Sequence, residues 1–91
     1  MSFRWDPRKA KANWVKHGVR FSDCAPVFED ERAVTIRDEF AEDERWVTLG
    51  VDAEGNVLVV VYAWEGDAIR IISARKASPR EREQYEAHHE A

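Results

Sequence analysis

The chain has one cysteine, Cys24, among its 91 residues. No disulfide framework can therefore hold the fold, which suits a reducing compartment such as the cytoplasm. Long apolar runs are missing as well. The longest, Val57 to Trp64, falls well short of the ~20 residues that a membrane-spanning helix needs. The opening Met1-Ser2-Phe3-Arg4-Trp5-Asp6 has no apolar stretch of the kind that marks a secretory signal. Internal repeats, low-complexity tracts and linkers are absent too, so residues 1–91 read as one domain with a small core.

Excess positive charge is also lacking. The net charge is −4, which at first sight excludes a polyanion partner. Its distribution reverses that impression. Residues 1–20 hold six Lys/Arg against one Asp, residues 21–67 hold three against thirteen acids, and residues 68–91 hold five against four. A fold that brings the two ends together would carry one basic surface and turn the acidic middle elsewhere.

Elements follow from capping and periodicity. Phe3-Arg4-Trp5 is a short strand candidate. Asp6-Pro7 reads as an N-cap followed by the first helical residue, and Gly18 suits the position after the helix end near His17. Ala10, Asn13, Trp14 and His17 share one face of that helix, and Lys9 and Lys16 a neighbouring solvent-side stripe. Ser22 opens a second, shorter helix with Phe21, Cys24, Ala25 and Phe28 as its apolar stripe, and Pro26 weakens its first turn. From Arg32 the period becomes two. Strands are expected over 32–37, over Arg45 to Val51 with Val47, Leu49 and Val51 facing the core, over Val57 to Trp64 as a central strand, and over Ala68 to Arg75. An acidic loop covers 38–44, and the turns at 52–56 and 65–67 are short enough for an antiparallel meander. Ser78-Pro79-Arg80-Glu81 is a capping box that starts a last helix, polar except for Tyr85. The expected class is α+β: two N-terminal helices on a sheet of about four strands, plus a C-terminal helix.

The segment that carries most chemistry is Ile69-Arg70-Ile71-Ile72-Ser73-Ala74-Arg75-Lys76. Arginines inside an apolar strand are suited to meeting an anion, because the planar guanidinium can bind two phosphate oxygens. The bland reading is that Arg70 and Arg75 pair with nearby acids. Five residues apart on a regular strand, they fall on opposite faces. Either one of them lies in the site, or Ser73-Ala74 bulges, or Arg75 already belongs to the exit turn. Arg45, at the open end of its strand, is a third cation, with a salt bridge to Glu42, Asp43 or Glu44 as its structural alternative. His17 is a candidate because an imidazole can serve as general acid or base, yet its spacing also lets it pack and cap its helix. Glu44 is a weaker candidate base. Cys24 lies on an apolar stripe and reads as core. Most of Trp5, Trp14, Trp46 and Trp64 also read as core. His88-His89-Glu90 does not make a metal site, since adjacent helical residues diverge.

Several segments together resemble one family: Phe3-x-Trp5-Asp6-Pro7-x-Lys9-Ala10-x-x-Asn13, Lys16-His17-Gly18-Val19-x-Phe21, Val27-Phe28-x-Asp30, Glu44-Arg45 with Leu49-Gly50, and Arg70-Ile71-Ile72-Ser73-Ala74-Arg75-Lys76-Ala77 with Glu83 and Tyr85. In this order they resemble the BrnT family of bacterial type II toxins. The resemblance implies a RelE-like fold and an endoribonuclease that cuts RNA and shuts down translation. It implies neutralisation by a BrnA-like antitoxin, through which alone the complex would meet DNA. Within that frame Arg70, Arg75, Arg45 and His17 are the expected catalytic residues, and Lys9 and Lys16 the expected RNA contacts. The cleavage would use no metal or other cofactor. A non-catalytic RNA- or protein-binding module is the alternative, favoured by the acidic net charge.

Overall fold

The computed structural model describes residues 1–88, in which a five-stranded sheet carries helical segments on both faces. The strands are β1 (Ser2–Arg4), β2 (Val34–Asp38), β3 (Arg45–Val51), β4 (Val57–Glu65) and β5 (Ala68–Lys76), in the spatial order β1-β5-β4-β3-β2. The last four form the expected antiparallel meander. The fifth strand is the N-terminal segment, which pairs parallel to β5 through Ser2–Ala68, Phe3–Ile69 and Arg4–Arg70. Three residues give too little periodic signal to place a strand in a sheet; the pairing depends on where the chain returns 66 residues later.

Helix α1 (Pro7–His17) starts and stops where its caps require. Asp6 accepts a hydrogen bond from the Arg8 N–H at 2.8 Å, and Gly18 closes the helix in the left-handed conformation at φ 66°. The second helix is a correction. Two short 3₁₀ turns, Phe21–Asp23 and Ala25–Glu29, stand in its place, and Ser22 caps neither. Ser22 is already inside the first turn, and Pro26 has no N–H for a continuous α ladder. Helix α2 (Pro79–Ala87) has the full capping box: Glu81 N–H to Ser78 Oγ at 3.2 Å and Ser78 N–H to Glu81 Oε1 at 2.9 Å. His88 ends it, and His89 and Glu90 lie outside the described residues.

The sheet has a different core on each face. The larger one packs Val19, Phe21, Cys24 and Val27 from the 3₁₀ region onto Leu58, Val60, Tyr62, Ile69, Ile71 and Ala74. The smaller one sets Tyr85 of α2 and Ala77 against Leu49 and Val59. Val47, Leu49 and Val51 therefore serve the smaller core, while Trp46, Thr48 and Gly50 line the face under the 3₁₀ turns. Buried Thr48 is satisfied by the hydroxyls of Thr35 at 2.8 Å and Tyr62 at 2.9 Å. Gly50 is needed for close approach: a Cβ there would stand 2.9 Å from Val27 Cγ1 and from the Val27 carbonyl oxygen. The tryptophans are a second correction. Trp5, Trp14 and Trp64 are all substantially exposed. Small and β-branched side chains fill the core, so the indoles lie on its rim, Trp5 edge-on to Phe21, Trp64 edge-on to Tyr62, and Trp14 beneath the Arg20 guanidinium at 4.7 Å.

Candidate nucleic-acid interface

The geometry of the site begins with an irregularity in β5. Val61 is opposite Ser73, but Tyr62 is opposite Ile71, so Ile72 is an extra residue in the strand. A bulge of this kind flips the alternation beyond it. Arg70 opposite Ala63 and Arg75 opposite Val59 thereby share a face, and the regular-strand expectation that they diverge is overturned. The bulge sits one residue before the Ser73-Ala74 pair where a sequence-level bulge was an option.

Sharing a face does not bring the two arginines together. Arg75 lies at the α2 end of β5, where its guanidinium forks onto Glu81 at 2.7 and 2.9 Å. Glu81 is the same residue that closes the helix cap. The hydrogen bonds from Arg75, outweighing burial, hold its carboxyl down at about 2, and the same bonds raise the Arg75 pKa. The pair ties the start of α2 to the sheet.

Arg70 lies at the other end, in a row across the sheet. Arg4 of β1 is its register partner on one side. On the other side is Ala63, and because Trp46 pairs with Tyr62, Arg45 falls in line beyond it. Arg4, Arg70 and Arg45 therefore point from the same face, with Ala63 between the last two. Arg70 is held loosely, 3.5 Å from Glu65, and Arg45 more closely, 2.7 Å from Asp43. Of the three alternatives for Arg45, Asp43 is the partner. Arg4 was absent from the sequence-level candidates. Its only available signal was the chance of a parallel pairing between Phe3-Arg4 and Ile69-Arg70.

The remaining candidates meet at the outer margin of β5. Lys9, Lys16 and His17 of α1 line a shallow cleft of about 220 Å³ with Ala12, Asn13 and the bulged Ile72-Ser73. Asn13 builds this cleft. Its side chain donates to the carbonyls of Val19 at 3.0 Å and Ala74 at 2.8 Å, and accepts from the Ala74 N–H at 3.0 Å. Since β1 covers β5 only as far as Arg70, no strand among the described residues pairs with Ala74 on that side, and the amide supplies what a strand would. The two bonds to Ala74 hold the C-terminal half of α1, with Lys16 and His17, against the bulged strand. Ser73, in line with Val61, belongs to the arginine face, so the cleft and the arginine row adjoin along one strand.

Elsewhere the chemistry is quiet. Burial, helped by Asp23 and Asp52, pushes the Cys24 thiol up to about 12, so it stays protonated and acts as core. Glu44 is exposed in the acidic loop on the far side of Arg45 and does not reach the cleft.

A family model described as the ribonuclease toxin BrnT of type II toxin–antitoxin systems matches residues 5–81. The crystal structure of the Brucella abortus ribonuclease toxin BrnT is similar to this fold with a TM-score of 0.69 at 28% identity, covering 86% of this chain and 97% of that one. No curated protein matches the sequence. The matched segment contains α1, the bulged strand and the Arg75–Glu81 junction, and this chain belongs to the BrnT family of type II ribonuclease toxins.

Proposed function

We propose that the chain is a metal-independent endoribonuclease whose site lies along β5, from the Arg4–Arg70–Arg45 row to the His17 cleft. The observation that carries this reading is the bulge at Ile72, beside which cations on the sheet face adjoin a cleft with two lysines and an imidazole. In the proposed mechanism the RNA 2′-hydroxyl attacks the adjacent phosphorus. His17 accepts its proton or serves the departing 5′-oxygen, a role worth ~10²–10⁴ in rate. Arg70 stabilises the charge that gathers on the phosphoryl oxygens, assisted by Arg45 and Arg4. Lys9 and Lys16 hold flanking phosphates. The products carry 2′,3′-cyclic or 3′-phosphate ends. Arg75 is proposed to position α2, since its fork is taken by Glu81.

The wider reading is a cytoplasmic toxin with a RelE-like fold in a single domain, residues 1–91. It blocks translation by cutting RNA, is neutralised by a BrnA-like antitoxin and meets DNA only through that partner. Purified protein should cleave RNA in excess EDTA, and Arg70→Ala should lose cleavage while remaining folded. A strict need for a divalent cation, or full activity in the Arg70 variant, overturns the mechanism. The second reading, a non-catalytic RNA-binding module, draws on the ion pairs that engage Arg45, Arg70 and Arg75. A gel shift with RNA left intact after long incubation would favour it.

A further inference from the structure

The far edge of the sheet has features that RNA cleavage does not use. Among the described residues no strand pairs with the outer side of β2. Open edges are ordinarily blunted by short length, charge, proline or a bulge. Residues 34–38, Val-Thr-Ile-Arg-Asp, are short and carry two charges, Arg37 and Asp38, at one end, but contain no proline and pair with β3 in unbroken register. The side chains above this edge are apolar and uncovered. Ile36 is 57% exposed and Phe40 99% exposed, and with Val47 they line one shallow hollow. An aromatic ring wholly in water beside a mostly exposed isoleucine forms a patch, and patches of this sort mark interfaces.

The surroundings select the occupant. Asp38, Glu39, Glu42, Asp43 and Glu44 crowd the same margin and outnumber its two bases, Arg37, which lines the hollow itself, and Arg45, the cross-strand partner of Asp38, which is paired with Asp43. Such a rim repels a nucleic acid. It also disfavours a second copy, which would bring an identical acidic rim alongside. It suits a cationic polypeptide.

We propose that the outer edge of β2 docks an extended segment of a protein partner in which apolar and cationic residues alternate. The segment adds a sixth strand, drawing its affinity from backbone hydrogen bonds and its specificity from the side-chain row. On the face shared by Val34, Ile36 and Asp38, its residues beside the first two are apolar and the residue beside Asp38 is Lys or Arg. One of its apolar side chains covers Phe40. The inference rests on the family reading only in requiring a protein partner. It is independent of catalysis.

The test is an NMR titration of isotope-labelled full-length chain with a short peptide alternating valine and lysine, with a valine–glutamate peptide as control. Shifts should concentrate in residues 34–47, and β2 amides should gain protection from solvent exchange. Phe40→Ser, a change at a fully exposed position, and the pair Glu39→Lys with Glu42→Lys should each weaken binding by about tenfold or more. RNA cleavage by Phe40→Ser should equal that of the unaltered chain, so a failure of the catalytic reading is seen separately. The proposal is overturned by equal binding of the glutamate peptide, by shifts centred on another acidic turn such as 52–56, or by unchanged affinity in both variants. It is also overturned if an RNA oligomer shifts the amides of residues 34–40, or if sedimentation finds a dimer that Phe40→Ser dissolves.

Discussion

At one side of the sheet, β1 and α1 set Arg4, Lys9 and Lys16 beside Arg70 of β5. At the other, β2 runs into a loop whose five carboxylates between 38 and 44 have no intervening base. The net charge of −4 is a sum over these two regions and describes neither. Charges are screened beyond ~8 Å at physiological salt, so a partner meets the local surface and not the sum. The backbone differs between the regions as well. Beyond β1, the basic side is finished by Asn13, whose amide satisfies the Ala74 edge from a helix. On the acidic side no strand of the described residues pairs with the outer side of β2. A surface rich in cations suits a polyanion, and a strand edge under an acidic rim suits a polypeptide.

The largest expected effect is on catalysis at the basic side. Arg70→Ala should lower RNA cleavage by about 10²–10³, the range typical for losing one preorganised electrostatic contact. Arg75→Ala should leave cleavage near normal while loosening α2. Equal losses in both, measured as single-turnover rates, would break the distinction between the arginine row and the α2 junction. Next in size is Asn13→Ala. It orphans the Ala74 N–H and the carbonyls of Ala74 and Val19, and should cost about 3 kcal/mol in denaturant unfolding. It should also slow cleavage, because Lys16 and His17 are no longer held to the bulge, whereas peptide docking at β2 should not change.

Gly50→Ala should cost about 1–3 kcal/mol by overpacking against Val27, with neither side of the sheet altered. It calibrates how much a purely internal defect moves both activities. The smallest effect concerns the α2 junction. Glu81 has a folded pKa of about 2, below its ordinary value near 4.5. Its pairing with Arg75 is therefore complete above about pH 4.5 and fades as the pH falls toward 2. Part-exposed and screened, the pair should contribute about 1 kcal/mol or less. Glu81→Gln should remove that segment of the stability–pH curve, and an unchanged acid slope in the variant would disprove the junction.

Much of the architecture was legible because caps and alternation are local. Asp6-Pro7, Gly18 and Ser78-Pro79-Arg80-Glu81 delimit both α-helices to within a residue, since each satisfies backbone groups of its own segment. Arg45 to Val51 reads as a strand from its β-branched alternation alone. The 3₁₀ turns were harder to read, since an apolar stripe at helical spacing is consistent with either helix and Pro26 is the only cue against the wider one. Which face of β3 meets the larger core was misread for a similar reason. Valine and leucine look more like core than Trp46, Thr48 and Gly50, but Thr48 is buried through its hydroxyl partners and Gly50 through its lack of a side chain.

Within the candidate site, the residue types were visible and their grouping was not. The sequence by itself determined the helices, the meander, the polar last helix and the cation-bearing strand, because these depend on hydrogen bonds and side-chain periods within a few residues. Tertiary structure decided the parallel pairing that sets Arg4 beside Arg70, the extra residue at Ile72 that returns Arg75 to the same face, and the Asn13 bridge that brings His17 to Ser73. Each of these is a match between backbones distant in the chain. A match of that kind depends on which unpaired N–H and C=O groups are left facing each other once the whole sheet has formed.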